Sequence, residues 1–286
     1  MSLVVNNNLM ANSAARYLND AYSALSSSTE KLSSGLRINS SADDAAGLAV
    51  RELMRADIAT LNQGTRNAND GISMIQTADG ALSVIDEKLI RMKELAEQAA
   101  TGTYTSDQRL LIDSEYQAMA SEITRIASAT DFNGIYLLNG NLSASGLTIH
   151  FGTGNDSAED KYDVVIGSCT SSALGIGHAA GAARSGYCVS TQALAEASLA
   201  ALDEAIQSKD TIRANLGAME NRLDATISNL EIQAENLQSA ESRISDVDVA
   251  TEMTEYSSQQ IIAQSAVAML SQANSLPQMA LSLITG

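Results

Sequence analysis

Apolar positions near the start of the chain follow the pattern of a coiled coil. They recur at alternating steps of four and three residues, which places them along one side of a helix that can pack against a partner. The positions are Leu18, Tyr22, Leu25, Thr29 and Leu32. Gly35 follows this stripe and offers a left-handed carboxyl cap, which predicts that the helix ends there.

A longer stripe with the same spacing predicts a second helix. Its members are Ile75, Ala78, Leu82, Ile85, Leu89, Met92, Ala96 and Ala99. Ser41, with Asp44 three positions on, is the candidate amino-terminal cap of this helix. Gly64 and Gly71 each cost about 1 kcal/mol relative to Ala in a helix, so the pattern leaves continuity across them open.

After a third helical stretch that begins near Ser106, the middle of the chain is β-like. An Asn-Gly pair at each end of Ile135–Leu138 is a strong hairpin signal. Leu147–Phe151 and Tyr162–Ile166 are two further β-like runs. Residues 167–190 are rich in Gly, Ser and Ala, which favours an exposed loop.

The last part of the chain is helical again from about Thr191. One apolar position recurs every seven residues along it, at Leu216, Leu223, Leu230, Leu237 and Ile244. From Asp246 to Gly286 the stripe is weaker, with Val247 and Ile261 in register among polar residues. A helix with so small an apolar face needs a partner to be stable.

These elements predict a mainly α protein: a long antiparallel coiled-coil helix bundle with a small β-hairpin region in mid-chain. The bundle seam consists of Leu82, Ile85, Leu89 and Met92 on one helix and the leucines at sevens on the other. A single proline in 286 residues agrees with long helices.

The net charge and the lengths of the apolar runs exclude some classes of binding partner. A formal charge of −17 would repel phosphate backbones and anionic membranes, so we expect neither nucleic acid nor a membrane as a partner. No apolar run is long enough for a membrane span, and the first residues do not form a secretory signal.

The chemistry of an enzyme is missing from the pattern, so we expect no catalytic, cofactor or metal site. His150 and His178 lack a zinc-binding helical context, and Cys169 and Cys188 lack metal-site spacing. Gly175–Gly181 approximates a dinucleotide fingerprint but has no strand directly before it. Two interaction hypotheses remain, a helical polymer subunit and a coiled-coil signalling hairpin, and a hairpin should have a helical tip at mid-chain.

Several long segments resemble one family, the bacterial flagellins. LSSGLRINSSADDAAG (Leu32–Gly47) is similar to the amino-terminal signature of that family. Further flagellin-like segments are residues 62–82, 128–140, 216–230 and 239–253, and the ending SQANSLPQMALSLITG. The hook-filament junction proteins are a related alternative.

The resemblance implies a structural subunit that polymerises with itself into the flagellar filament for motility. It implies export by the flagellum-specific type III apparatus with a chaperone that binds the carboxyl terminus, contacts with filament cap and hook-junction proteins, and an extracellular location. It also implies a division into an inner coiled-coil domain (1–43 and 245–286), an outer-core helix bundle (44–140 and 191–244) and a β-hairpin and loop region (141–190). The inner seam would be Leu18, Tyr22, Leu25, Leu32, Val247 and Ile261.

Two further expectations depend on the resemblance. The stretch LIRMKELAEQ is similar to the segment of flagellins that Toll-like receptor 5 contacts, which implies contacts by Arg91, Leu95, Gln98 and Glu115, with Leu95 exposed because it lies off the main seam. Outside the cell, a disulfide between Cys169 and Cys188 can persist, and the sequence leaves a disulfide and two free thiols both open.

Overall fold

The computed structural model describes residues 8–156, 158–176 and 188–285. This part of the chain is mainly helical, with long helices and two short antiparallel strand pairs at mid-chain, as predicted. The elements in order are α1 (Leu9–Ser34), α2 (Ala45–Ala100), α3 (Ser106–Ala129), β1 (Asp131–Phe132), β2 (Ile135–Tyr136), β3 (Leu147–His150), β4 (Lys161–Val164), α4 (Gln192–Ser245) and α5 (Val249–Thr285).

The chain divides into two compact units. Unit 1 contains Met1–Ile58 and Glu235–Gly286, and unit 2 contains Ala59–Ala234. The divisions fall within α2 and within α4, so each of these helices contributes to both units.

In unit 2, α2 and α4 run antiparallel. Asp79 of α2 binds Arg213 of α4, and Lys93, further along α2, binds Asp203, which precedes Arg213 in α4. The helix α3 returns along another side of α2, where the Arg109 Nε atom donates a hydrogen bond to the carbonyl oxygen of Ala99 at 2.8 Å. Two sides of α2 are therefore covered.

The leucine stripes lie in the core of unit 2. Four residues of the predicted seam on α2 are 0% exposed: Leu82, Ile85, Leu89 and Met92. Their predicted partners on α4 are also buried, at Leu216, Leu223 and Leu230. Leu237 is only partly buried and falls in unit 1.

The helix α2 continues without a break across Gly64 and Gly71. The strand β3 and the residue after it lie against these two positions. A Cβ atom at Gly64 would lie 2.0 Å from the carbonyl oxygen of Phe151, and one at Gly71 would lie 2.3 Å from the Cδ1 atom of Ile149. These glycines cost helix propensity but let β3 and the residue after it pack against α2.

We expect Gly64→Ala to destabilise the protein, because the added Cβ atom would meet backbone rather than a side chain that can move. The expected loss is about 1–3 kcal/mol of unfolding free energy. Gly80→Ala is the matched control: nothing lies within 4 Å of its Cβ position, so it should stabilise by up to about 1 kcal/mol. Urea denaturation measures both, and an equal response would contradict the close approach.

At mid-chain the strand predictions are confirmed in part. The first Asn-Gly pair forms the turn between β1 and β2, with φ of 52° at Asn133 and 80° at Gly134. The second pair does not turn a hairpin: there the Asn139 side chain accepts the backbone N–H of Asn141 at 3.0 Å. The hairpin signal is local, so it cannot show whether the following residues find a strand to pair with.

The described part of residues 167–190 forms no helix or strand, as predicted for a loop, but the expectation that it is exposed was wrong at several positions. Although small and polar residues dominate this segment, several of its residues pack into the core. They are Cys169, Ser171, Leu174, Ile176 and Val189, each at most 7% exposed. Residues 177–187, which include His178 and most of the glycine-rich run, lie outside the described residues.

Candidate functional site

In unit 1, α1 and α5 pack side by side and run antiparallel. Near the start of α1, the Asn8 side chain donates a hydrogen bond to the carbonyl oxygen of Ala273 at 2.7 Å. Near its end, Lys31 lies 3.9 Å from Glu252, which is in the first turn of α5. The pair therefore joins segments from the two ends of the sequence.

The most deeply buried positions of the seam between these helices carry small side chains, namely Ala21, Ser28, Ala263, Ala266 and Ala273. On α1 the residues that face α5 follow steps of three and four: Leu18, Ala21, Leu25, Ser28 and Leu32. On α5 the corresponding partly or fully buried positions are Glu252, Tyr256, Gln259, Ala263, Ala266, Leu270 and Ala273. Small residues at the contact let two helices approach closely, so much of the larger apolar surface is left elsewhere.

Three predicted seam residues are therefore corrected. Tyr22 is 53% exposed and Ile261 is 63% exposed, because the seam passes through Ala21 and its neighbours instead. Both registers satisfy steps of three and four, and the hydrophobic pattern favoured the larger side chain. Val247 is not in a helix at all, since it precedes α5.

Large apolar side chains remain exposed on the outer sides of the α1–α5 pair. On α1 they are Leu9, Met10, Tyr17 and Tyr22, with 45–73% exposure. On α5 they are Val249, Met253, Ile261, Ile262, Val267, Met269 and Met279, with 45–63% exposure. We call these residues the exposed apolar face.

Part of this face is concave. A groove of about 550 Å³ lies between α1 and α5. It is lined by Leu9, Met10, Ser13, Ala14, Tyr17, Ile262, Ser265, Ala266 and Met269. Its lining is mostly apolar and carries no charged side chain, so it suits an apolar partner rather than an ionic ligand.

The two connections that flank this pair are joined by backbone hydrogen bonds. Gly35 ends α1 in the left-handed conformation with a φ of 73°, as predicted. Its carbonyl oxygen accepts the N–H of Val247 at 3.0 Å. Beside it, Leu36 and Asp246 form an antiparallel β-bridge. We call this contact the loop junction.

Two arginine side chains hold the chain next to the loop junction by hydrogen bonds to backbone carbonyl groups. The N–H of Arg37 donates to the carbonyl oxygen of Ser245 at 2.6 Å, and its guanidinium donates to that of Ile244 at 2.7 Å. Arg51 is 7% exposed and donates to the carbonyl oxygen of Ile38 at 2.7 Å. The bonds from Arg37 thereby satisfy the last two carbonyl groups of α4, which would otherwise lack a partner within the helix.

The acidic pair in the signature segment shapes its turn. Asp44, rather than the predicted Ser41, caps α2, since its side chain accepts the N–H of Gly47 at 2.9 Å. The neighbouring Asp43 accepts the N–H of Ser40 at 2.9 Å, and this hydrogen bond lowers the pKa of the Asp43 carboxyl. The paired aspartates are thus local turn and cap residues.

The four predicted receptor contacts have different surroundings. Arg91 is half exposed and donates two hydrogen bonds to Glu115 of α3, at 2.9 and 3.0 Å. Gln98 donates to the hydroxyl of Tyr104 at 2.9 Å. Leu95 is 1% exposed, so the expectation that it is exposed was wrong. It lies one turn beyond Arg91, on the side of α2 that α3 covers.

No disulfide forms, since Cys169 and Cys188 are free thiols in this structure. Cys169 is 0% exposed, and its N–H donates to the carbonyl oxygen of Leu138 at 3.0 Å. Burial raises the pKa of the Cys169 thiol to about 11. The carbonyl oxygen of Cys188 accepts the hydroxyl of Ser198 at 3.1 Å. Each cysteine is held by its own neighbours.

We expect alkylation of the native protein to modify Cys188 and spare Cys169. At pH 8 a thiol with a pKa near 11 is about one-thousandth ionised, and Cys169 is also shielded by its burial. Mass analysis after iodoacetamide treatment should show one added group in the native state and two in urea. Equal labelling of both thiols in the native protein would contradict this packing.

Within the described residues, no group of His, Cys, Asp and Glu side chains could hold a metal ion. Among the helices of the same part of the chain, none is long and apolar enough to cross a membrane. The feature that remains to be explained is the exposed apolar face.

Comparison with known proteins gives one answer over the whole chain. Residues 5–143 match the bacterial flagellin N-terminal helical region, and residues 199–284 match the bacterial flagellin C-terminal helical region. A flagellar filament 33 kDa core protein of Treponema phagedenis is 41% identical over 290 residues, covering 99% of this chain and 100% of the relative. Flagellin of Bacillus subtilis is 40% identical over 302 residues, covering 98% and 99%.

A solved structure adds a further match. The crystal structure of Bacillus cereus flagellin is 32% identical, with a TM-score of 0.47, and covers 62% of this chain and 94% of that chain. The two matched regions and the full-length relatives agree with each other and with the signature segment. The chain belongs to the bacterial flagellin family.

Proposed function

We propose that this flagellin is a structural subunit that polymerises with itself into the bacterial flagellar filament and serves motility. The observation that carries the proposal is the exposed apolar face of α1 and α5. Side chains such as Leu9 and Ile261 are 73% and 63% exposed in the single chain. Soluble proteins seldom expose so many large apolar side chains close together on one pair of helices unless a partner covers them.

The chemistry of this face supports a second copy of the chain as the partner. The face is apolar and is carried by two helices, so it fits another amphipathic helix. Identical subunits that meet through two different patches grow into open helical assemblies when the rotation between neighbours does not close a ring. We also propose that the predicted inner coiled-coil domain, residues 1–43 and 245–286, makes these contacts.

The alternative of a signalling hairpin receives no support from mid-chain. A hairpin of this kind needs a helical tip there, whereas β3 and β4 pair between α3 and α4. A hook-filament junction protein remains the nearer alternative, because such a protein would share the terminal helices. The two differ in whether the purified chain grows long polymers by itself.

The test is seeded growth. Purified protein is mixed with short fragments of its own filaments and viewed by negative-stain electron microscopy. We expect long tubes that lengthen with time and protein concentration. Short caps on the seeds without further growth would identify a junction protein, and no binding to the seeds would refute the proposal.

We infer further that the subunit is exported by the flagellum-specific type III apparatus and acts outside the cell. In this proposal a chaperone binds the carboxyl-terminal segment before export, which would cover the exposed apolar face of α5. At the growing end, the subunit meets the filament cap, and the first subunits meet the hook-junction proteins. Fractionation of an export-deficient strain tests this, since the protein should then be found inside the cells and not in the culture medium or on the cell surface.

We propose recognition by Toll-like receptor 5 through the exposed Arg91–Glu115 pair and Gln98. With Leu95 buried, the recognition would depend on polar contacts rather than on an apolar anchor. Arg91→Ala should therefore reduce receptor activation by the monomer. Arg125→Ala, which breaks another exposed ion pair on α3, is the control and should leave the dose response unchanged.

A further inference from the structure

Methionine side chains are distributed unevenly over the structure. In unit 1, Met10 is 45% exposed and Met269 is 58% exposed. In unit 2, Met74 and Met92 are at most 1% exposed and belong to the core. An oxidant in solution therefore reaches the methionines of the terminal helices while these two core methionines are shielded.

Met10 and Met269 also share a location. Both line the groove between α1 and α5, Met10 from the first helix and Met269 from the last. Their neighbours in the groove include Leu9, Tyr17 and Ile262, and the lining carries no charge. Both thioethers are therefore part of the surface that the proposed function buries between subunits.

We propose that Met10 and Met269 form an oxidation site whose modification by hydrogen peroxide or a related peroxide blocks polymerisation. This inference rests on the proposed function, because it assigns a chemical control to the same surface. It concerns the free subunit, in which the Met10 and Met269 side chains are exposed to solvent.

The reaction is an oxygen-atom transfer. A lone pair on the thioether sulfur attacks one oxygen of the peroxide, so an S–O bond forms and the O–O bond breaks. The displaced hydroxide takes up a proton and leaves as water. The sulfur is oxidised by two electrons to the sulfoxide, and the peroxide is reduced by the same two electrons.

The sulfoxide changes the groove from an apolar surface into one with a strong hydrogen-bond acceptor. Burial of that oxygen between subunits without a donor weakens the contact, and one such group is expected to reduce affinity by about tenfold or more. The groove lining offers hydroxyl donors only from Ser13, Tyr17 and Ser265. Polymerisation covers the same sulfur atoms, so a subunit within the polymer is protected.

The experiment uses the full chain. Monomer is treated with hydrogen peroxide, the peroxide is removed, and oxidation at each methionine is measured by peptide mass spectrometry. Seeded growth is then measured by sedimentation. The double variant Met10→Leu/Met269→Leu keeps an apolar groove of similar volume and is treated in parallel. Untreated samples of both proteins serve as controls.

We expect rapid oxidation of Met10 and Met269, slow oxidation of Met74 and Met92, and a tenfold or greater rise in the critical concentration of the treated wild type. The treated double variant should lose much less growth than the treated wild type, with the remaining loss due to oxidation of the exposed Met253 and Met279 on the same face. Normal growth of wild type with both sites oxidised, or equal loss in the double variant, would overturn the inference. Failure of untreated wild type to elongate seeds would instead refute the proposed function.

Discussion

Deletion of Asp246–Gly286 is expected to abolish filament growth while unit 2 remains folded. The deletion removes α5, with most of the exposed apolar face and the partner of α1. Unit 2 keeps its own buried core of α2, α3 and α4 residues, such as Leu89, Tyr116 and Leu223. Deletion of Met1–Ser34 should have the same result, because it removes the other half of the pair.

Seeded growth measures the first effect, and circular dichroism with thermal denaturation measures the second. Both truncated chains should show a cooperative helical transition and no elongation of seeds. If either chain still formed normal filaments, the pair of α1 and α5 would not be the polymerisation surface.

A single charge on the exposed apolar face should test the same surface without removing a helix. Ile261→Asp changes a side chain that is 63% exposed, so the fold of the free subunit should be unchanged. Burial of the carboxylate between subunits should raise the critical concentration by tenfold or more. Ser257→Asp adds the same charge at an exposed polar position of α5 and is the matched control.

The second large effect is expected at Lys209, the charged side chain that is most deeply buried in the described part of unit 2. Its Nζ atom lies 2.6 Å from Asp86 of α2 and 2.6 Å from Asp210, and the side chain is 2% exposed. Burial by itself lowers the pKa of Lys209, but the hydrogen bonds from its ammonium group to Asp210 and Asp86 raise the pKa above its ordinary value. The ammonium is therefore charged and paired.

Lys209→Ala should lower the unfolding free energy by about 3–5 kcal/mol, because it removes a buried stem and leaves Asp86 without its cation. Lys209→Met also removes the cation but keeps the buried stem, so it should cost less than Lys209→Ala by the packing contribution of that stem. Asp203→Ala breaks the exposed pair with Lys93 and should cost at most about 1 kcal/mol. Urea denaturation ranks the three variants. If Lys209→Ala cost no more than Asp203→Ala, Lys209 would not be a buried ion-pair residue.

The parts of the fold that could be predicted from sequence are those in which a large apolar side chain repeats at helical spacing. The helices α2 and α4 could be predicted because their leucines, such as Leu82 with Leu89 and Leu216 with Leu223, repeat every seven residues and so lie on one face of a helix. The turn at Asn133 was also predictable, since its backbone conformation restricts the residue types that can occupy it.

Other features depend on which element covers which side, and a single helix does not encode that. Leu95 looked free because the pattern shows one seam, whereas α3 covers a second side of α2. The segment around Cys169 was predicted to be exposed because most of its residues are small or polar. Its few larger apolar side chains are nevertheless buried. Ala21 and Ala263 form a seam that hydrophobicity alone assigns to larger neighbours such as Tyr22 and Ile261.

The loop junction joins residues that lie far apart along the chain, such as Arg37 and Ile244, which are 207 residues apart. Loop-closure entropy rises only slowly with the length of chain between two contacts, so this separation is tolerable in the folded state. The separation also matters during synthesis of the chain, because α1 is made before α5. A chain that stops early has no α5 to place beside α1. Under the proposed function, a subunit can join the polymer only once α5 has been made, and growth excludes chains that stop before it.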